Sequence, residues 1–131
     1  DEDCMEQLAR LVDIYTMLAP YTKTLVAENA AKGTPVMRPL FLHYEDDPRS
    51  YTEQFEYLYG PDLLVAPVWQ SGKTEWEVYL PGEEWVHLWT GKVYGKGTHT
   101  VPAAMGDIPV FCRKGSRWTE LFDSIRAKYG K

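Results

Sequence analysis

Apolar residues in the first quarter of the chain recur at steps of three and four, the spacing that places side chains on one face of an α-helix. The residues that carry this spacing are Leu8, Leu11, Val12, Tyr15, Leu18, Leu25 and Val26. Residues 1–3 are acidic and would lie in the first turn, where the helix dipole favours anions. Pro20 should kink this helix or divide it in two, and Lys32-Gly33, followed by Pro35, predicts its end.

A second pattern begins at Val36, where an almost continuous apolar run extends to Tyr44. Such a run favours a strand that is buried on both faces, as in a parallel sheet. After a turn at residues 46–48, residues 51–59 predict a short helix with Ser50 as its N-cap, ended by Gly60-Pro61. The order helix, buried strand, helix is typical of an α/β fold.

The second half of the chain has a different pattern. Short strand-like runs, LLVAPVW, TEWEVYLP, EWVHLWT, THTVPA and IPVFCRK, are separated by glycine- and proline-containing turns, of which Gly95-Lys96-Gly97 predicts a hairpin turn. TEWEVYLP and EWVHLWT would be the two strands of another hairpin, and TELFDSIRAKY a terminal helix. The chain is therefore predicted to combine an α/β segment at residues 1–60 with an antiparallel β-sandwich at residues 61–131.

Charge divides the chain in the same way. Residues 1–66 hold 12 Asp and Glu against 5 Lys and Arg, a net charge of −7, while residues 67–131 hold 7 against 9, a net of +2. The total of −5 argues against nucleic acid as a partner, and the 44% hydrophobic content is enough for a core. The acidity of the first half supports two structurally different segments.

Cysteine usage and the N-terminal residues set expectations about the compartment. Cys4 and Cys112 form no disulfide framework or metal-binding pair, so thiols are expected. No stretch approaches the roughly 20 apolar residues of a membrane span, and no signal peptide is indicated. The chain opens without Met on DEDCMEQLARL, which predicts that its N-terminus lies inside a longer protein.

The titratable residues offer little chemistry on their own. Asp46 and Asp47 are neighbours, and in extended chain they point to opposite faces, so they fit a capped or solvated turn better than a glycosidase pair flanking one bond. His43, His87 and His99 lack metal-binding spacing, and no serine nucleophile or phosphate-binding motif is present. We expect neither a metal nor a cofactor.

Two features leave a choice between structure and function. Arg38 is the charged residue of the apolar run, and it would either form a buried ion pair with an acid elsewhere or contact substrate. Trp85 and Trp89 would share one strand face, with Trp76 on the preceding strand. Such a cluster fits core or inter-domain packing, or alternatively a sugar-stacking surface.

Four segments, in order, resemble glycoside hydrolase family 31, the α-glucosidase family. GTPVMRPLFLHYEDD is similar to its last barrel strand and acidic turn, and YLYGPDLLVAPV to its F-L-x-G-x-x-L-L-V-A-P-V stretch. YLPGEEWVHLWTG resembles its tryptophan hairpin, and IPVFCRKGS its I-P-V-F-x-R-x-G-S. LFLHYEDD and the terminal TELFDSI further resemble the bacterial sulfoquinovosidase branch.

The resemblance implies that residues 1–60 end a TIM barrel and that residues 61–131 form the proximal C-terminal β-domain. The nucleophile and acid/base aspartates of the family, and the sulfonate-binding residues of the branch, lie on earlier barrel strands and match no position here. His43, near the C-terminal end of the last strand where barrel active sites open, is the best substrate-proximal candidate, followed by Arg38.

The expected function is thus that of a noncatalytic C-terminal portion of a retaining α-glycoside hydrolase, inactive alone. Its partners would be the upstream barrel and, through the intact enzyme, a carbohydrate, but neither nucleic acid nor membrane; the expected location is the bacterial cytoplasm. An aromatic carbohydrate-binding or structural β-module is the alternative. Separated from its barrel, the Val36–Tyr44 run would expose edges, so residues 1–60 should pair in a swapped oligomer or be poorly ordered.

Overall fold

The computed structural model of the chain describes residues 2–104 and 107–130. It forms two compact units, residues 1–36 and residues 37–131. The predicted acidic first turn is partly outside this description, because Asp1 is not among these residues, but Glu2 and Asp3 do lie in the first helical turn.

The first unit consists of two helices, α1 (Glu2–Met17) and α2 (Ala19–Lys32). Pro20 lies in the first turn of α2, where its missing N–H would have had no intrahelical partner, so the predicted division at this proline is confirmed. Gly33 ends α2 with φ +75°, and its N–H donates to the Asn29 carbonyl at 2.8 Å. The predicted stop at Lys32-Gly33 is confirmed as well.

The apolar stripe of α1 is exposed in the described unit. Ile14 is its one buried residue, whereas Leu8 is 62% and Tyr15 65% exposed. Large apolar side chains with more than half of their surface exposed follow one another along the helix: Met5, Leu8, Leu11, Val12 and Tyr15. The sequence pattern thus predicts the helix but not the burial of its apolar side within this chain.

The second unit is built on one antiparallel sheet with the strand order β1-β2-β3-β6-β4-β5. A terminal helix, α3 (Thr119–Tyr129), follows β6, as predicted. The strands are β1 (Met37–Arg38), β2 (Tyr57–Tyr59), β3 (Leu63–Val65), β4 (Glu75–His87), β5 (Val93–Pro102) and β6 (Val110–Arg113). Antiparallel pairing of the second half is confirmed, but the described strands form one sheet and not the two facing sheets of the expected sandwich.

The expected long strand over Val36–Tyr44 is wrong. Within the described residues β1 pairs antiparallel with β2, and parallel pairing with upstream barrel strands stays a prediction. β1 ends at Arg38 because Pro39 has no N–H to continue a ladder, and a 3₁₀ turn (Leu40–Leu42) follows. Leu40 is buried in that turn, so the apolar run reflects a strand end and a packed turn in succession.

The predicted helix over residues 51–59 is also wrong. Its last residues form β2, and a 3₁₀ turn (Pro48–Tyr51) precedes it. The cap of that turn is Asp47, whose Oδ1 accepts the Arg49 N–H at 3.0 Å, while Ser50 lies inside the turn and donates through Oγ to the Tyr44 carbonyl at 2.8 Å. The Tyr-Leu-Tyr sequence of β2 has strand-favouring aromatic residues on both sides of a core leucine.

The glycine-rich segments of the second half are interruptions within strands. Pro81-Gly82 does not end a strand, because β4 continues through it with a bulge between Leu80 and Glu84 and with Gly82 at φ +76°. Gly95 and Gly97 pair across this bulge from inside β5, so the predicted turn at residues 95–97 and the predicted hairpin between TEWEVYLP and EWVHLWT are both wrong. The β4–β5 hairpin turns instead at residues 88–92.

The core of the second unit lies among β2, β3, β4, β5 and β6. Each fully buried leucine or phenylalanine of such a core contributes about 1.5–3 kcal/mol through removal of apolar surface from water. β2 pairs with β3 across residue 60, so both sides of the predicted domain boundary share this sheet, and a division of the parent protein at that point stays a prediction. The core residues are Leu40, Leu58, Leu64, Ala66, Val78, Tyr79, Leu80, Trp85, Val101 and Phe111.

Candidate functional site

The sequence predicts that Arg38 and His43 lie nearest to a substrate. In the structure these two side chains are in contact with each other. Arg38, 1% exposed in β1, has its Nη1 2.9 Å from Nε2 of His43, which is exposed at the end of the 3₁₀ turn. A guanidinium can only donate, so His43 Nε2 accepts and the ring proton of a neutral imidazole lies on Nδ1. Arg38 therefore selects one tautomer of an exposed histidine. A substrate contact by either residue stays a prediction.

The acidic turn has a structural role, as the sequence interpretation held. Both oxygens of Asp47 are engaged, because Oδ1 accepts the Arg49 N–H and Oδ2 accepts the hydroxyl of Tyr79. Asp46 is exposed. These neighbours do not form a pair of carboxyl groups aimed at one bond.

Sequence reasoning missed a buried carboxyl group nearby. Glu56 is 8% exposed, and its Oε1 accepts the backbone N–H of Tyr79 at 2.6 Å. Burial is the main cause that raises the pKa of Glu56 to about 8, and the charge of Glu53 adds to it. The apolar residues around it, in the sequence Phe55-Glu56-Tyr57, were the available signal, and the helix prediction for this segment concealed it.

The three candidate tryptophans pack against other parts of the molecule. Trp85 is 1% and Trp89 5% exposed; their indole N–H groups donate to the carbonyls of Pro81 at 2.7 Å and Ile108 at 2.8 Å. Trp89 lies beyond the end of β4, so the expected shared strand face is wrong. Trp76 is half-buried and packs against the core. A sugar-stacking surface needs exposed ring faces, which Trp85 and Trp89 do not offer in this structure.

The other two histidines and the cysteines have local partners or buried surroundings. His87 lies 2.9 Å from the Thr90 hydroxyl, and burial lowers its pKa; His99 donates through Nε2 to the Gly95 carbonyl at 2.7 Å. Cys112 is buried, which raises the pKa of its thiol to about 12, and it is not in a disulfide, as expected. Within residues 2–104 and 107–130 no group of three His, Cys, Asp or Glu is placed to hold a metal ion.

A groove of about 290 Å³ runs beside the bulge of β4. Among its charged residues, Lys114 lies 3.6 Å from Glu84, and Arg113 is 2.5 Å from Asp62. Tyr44 closes one end, so tightly that a Cβ at Gly82 would lie 2.7 Å from its ring.

None of the helices in the described part of the chain is long and apolar enough to cross a membrane.

Comparison with known proteins identifies the surroundings in which this sheet occurs. The sequence profile of the glycosyl hydrolase family 31 C-terminal domain matches residues 33–116. The sulfoquinovosidase of Escherichia coli (strain K12) is 49% identical over 97% of this chain and 19% of its own length. The sulfoquinovosidase of Agrobacterium fabrum (strain C58) is 51% identical over 96% of this chain and 19% of its own.

The solved structures agree. A family 31 sulfoquinovosidase from E. rectale, determined with an aza-sugar inhibitor, superposes on all of this chain with a TM-score of 0.97 and 61% identity, over 20% of its own chain. An α-xylosidase of the same family from a soil metagenome matches 93% of this chain with a TM-score of 0.89 and 31% identity. The chain spans about a fifth of the length of these relatives. It belongs to glycosyl hydrolase family 31 and contains that family's C-terminal domain.

Proposed function

We propose that this chain is the noncatalytic C-terminal portion of a retaining α-glycoside hydrolase that cleaves α-sulfoquinovosides. The observation that carries the proposal is the 61% identity, at a TM-score of 0.97 over the whole chain, to the corresponding fifth of a family 31 sulfoquinovosidase. The named activity of the two curated relatives at about half identity supports the same substrate. α-Glucosides are the alternative substrate class, because the broader family resemblance suggests them.

The chemistry would reside in the rest of the protein. A retaining glycosidase needs two carboxyl groups about 5–5.5 Å apart, one attacking the anomeric carbon and one protonating the leaving oxygen. Asp47 and Glu56 both serve Tyr79 here, and Glu53 is paired with Arg49 at 2.7 Å. These three acids therefore hold structure, which supports a scaffolding role for the chain.

The helices and β1 would complete a TIM barrel in the parent enzyme. The exposed stripe Met5, Leu8, Leu11, Val12 and Tyr15 supports this assignment, because apolar patches of this kind mark surfaces that are covered in the complete protein. β1 is the last strand at one edge of the sheet, where a further strand can add. The upstream barrel is the proposed partner, and residues 61–131 would brace it as the proximal C-terminal β-domain.

His43 is the proposed point of contact with the active site. Barrel active sites lie at the C-terminal ends of the strands, and His43 follows the C-terminal end of β1 by five residues. Arg38 would act through His43 by fixing its tautomer, so that the ring proton of the neutral imidazole lies on Nδ1. In this role Arg38 positions and His43 contacts the substrate or a group beside it.

The bacterial cytoplasm is the proposed location of the parent. The cysteine chemistry supports it, because Cys4 and Cys112 are not joined in a disulfide.

The substrate assignment is tested with the intact parent protein, by comparing hydrolysis of 4-nitrophenyl α-sulfoquinovoside and 4-nitrophenyl α-glucoside. The sulfoquinovoside should be cleaved with the higher kcat/KM, and a preference for the glucoside would overturn this assignment. The 131-residue chain is assayed alongside and should cleave neither. Turnover by this chain that persists through repurification would show that it carries its own catalytic groups.

A further inference from the structure

One residue of β4, Tyr79, holds the segment of residues 39–56 that connects β1 to β2. Its hydroxyl donates to Asp47, its ring lies 5.1 Å from the guanidinium carbon of Arg49, and its backbone N–H donates to Glu56. On the side of β4 opposite β5, β6 pairs only with residues 85–87. The Glu56 side chain therefore accepts the Tyr79 N–H at a position of β4 where β6 does not pair.

The Glu56 carboxyl group is poorly placed to carry a charge. Its Oε2 is buried and has no hydrogen-bond partner among the described residues. The cation in reach, Arg49, lies 2.7 Å from Glu53 and is 46% exposed, so its charge is shared with another acid and with water. An ionised carboxylate here would keep one oxygen without water or donors, which is costly in a protein interior.

The charges that face Glu56 come from the segment itself and from β4. Glu53 disfavours the carboxylate, Arg49 and the Tyr79 N–H favour it, and burial outweighs them. Tyr79 itself stays a neutral donor, because burial and the contact with Asp47 raise its pKa to about 12. Glu77, on β4, acts more remotely, through Arg49.

We propose that Glu56 is a proton-operated latch for the segment of residues 39–56: the uncharged carboxyl group closes the segment onto Tyr79, and loss of the proton lets it open. In the open segment the carboxylate is hydrated and ionises like an ordinary glutamate. Opening thus becomes easier as the pH rises from the ordinary pKa of a glutamate towards that of Glu56 in the closed state, and levels off above it. The latch is a property of this chain and does not depend on the glycosidase assignment.

The test is amide hydrogen exchange of the intact parent protein across this pH range, followed in the residues of this chain and expressed as protection factors so that the intrinsic pH dependence of exchange is removed. The amides of Tyr79 and of residues 44–56 should lose up to about tenfold in protection per pH unit between about pH 5 and 8, and no more above. Glu56→Gln, which keeps the acceptor and cannot ionise, should abolish this dependence. Glu53→Gln, its matched neighbour, should retain it.

Equal pH dependence in the wild-type chain and Glu56→Gln would overturn the latch. Should Glu56→Gln fail to fold, the ¹³C shift of the Glu56 carboxyl carbon in the wild-type chain decides in its place. A titration midpoint near 8 supports the latch, and a midpoint near the ordinary 4.5 overturns it.

Discussion

The carboxyl group of Glu56 accepts the backbone N–H of Tyr79 at 2.6 Å across 23 residues of chain. The hydroxyl of the same tyrosine donates to Asp47. Tyr79 of β4 is therefore hydrogen-bonded to both the first and the last residue of the loop formed by residues 47–56. The stability of this loop is therefore concentrated in a few contacts whose removal can be measured one at a time.

Tyr79→Phe should destabilise the chain by about 1–2 kcal/mol, because a buried donor to a carboxylate is lost and Asp47 Oδ2 is left without it. The ring beneath Arg49 and the N–H to Glu56 are kept. Urea unfolding gives the change. Tyr51→Phe is the matched control, since the Tyr51 hydroxyl donates to the Glu45 carbonyl at 2.8 Å on the surface, and it should cost less than about 0.5 kcal/mol. Similar losses in both variants would contradict the special position of Tyr79.

Stability should fall as the pH rises from about 4.5 to about 8. In this interval Glu56 is ionised in the unfolded chain but still protonated in the folded chain, so folding takes up a proton. The free energy of unfolding therefore falls as the proton concentration falls. The slope is at most about 1.4 kcal/mol per pH unit from this one group. Urea unfolding of the wild-type chain and Glu56→Gln at about pH 5, 6.5 and 8.5 separates its contribution from that of other groups. A difference between the two proteins that stays constant with pH would exclude it.

The isolated chain should self-associate through the exposed stripe of α1. Leu8→Lys combined with Val12→Lys should shift it towards monomer, because charge on an apolar stripe opposes its burial. Gln7→Lys combined with Thr16→Lys adds the same charge to exposed polar positions of the same helix and should leave the association unchanged. Light scattering at several concentrations measures the mass. A wild-type chain that is monomeric and fully protected from hydrogen exchange would also refute the expected disorder or swapping of residues 1–60.

In the intact enzyme, His43→Phe should lower kcat/KM about tenfold, equivalent to ~1.4 kcal/mol of transition-state stabilisation. His43→Gln should recover part of the loss, because its amide oxygen can accept from Arg38 and its amide N–H₂ can replace the Nδ1–H donor. Steady-state kinetics of the two variants makes the comparison. Unchanged kcat/KM in His43→Phe would remove His43 from the site. The ¹⁵N shifts of the wild-type imidazole independently report whether Nδ1 carries the proton.

Local signals were sufficient for the helices and for the antiparallel character of the sheet. Pro20 and Gly33 act within a single turn of chain, so the division and end of α1 and α2 follow from the sequence. The 3₁₀ turn at Leu40–Leu42 could not be predicted in this way. Leu40 is buried in the turn, and a buried leucine in a turn looks the same in the sequence as a buried leucine in a strand.

The candidate site depended on contacts between distant residues. Pro81-Gly82 has the composition of a turn, and only its pairing with β5 makes it a bulge inside a strand. The contact between Glu56 and Tyr79 likewise could not be predicted, because the local sequence around each residue does not indicate which N–H a carboxyl oxygen will accept. Arg38 and His43, five residues apart, were within reach of local reasoning, and their contact is the part of the site that the sequence came nearest to predicting.

The two prolines that flank β1 restrict what can attach to this edge of the sheet. Between Pro35 and Pro39 only three residues carry backbone N–H groups, and the strand itself spans two of them. Fibrous aggregation grows by adding strands to long, regular edges, and this one is too short and too poor in donors to serve as such a template. Whatever lies next to β1, this edge of the sheet would thus expose apolar side chains without offering a long template for amyloid-like growth.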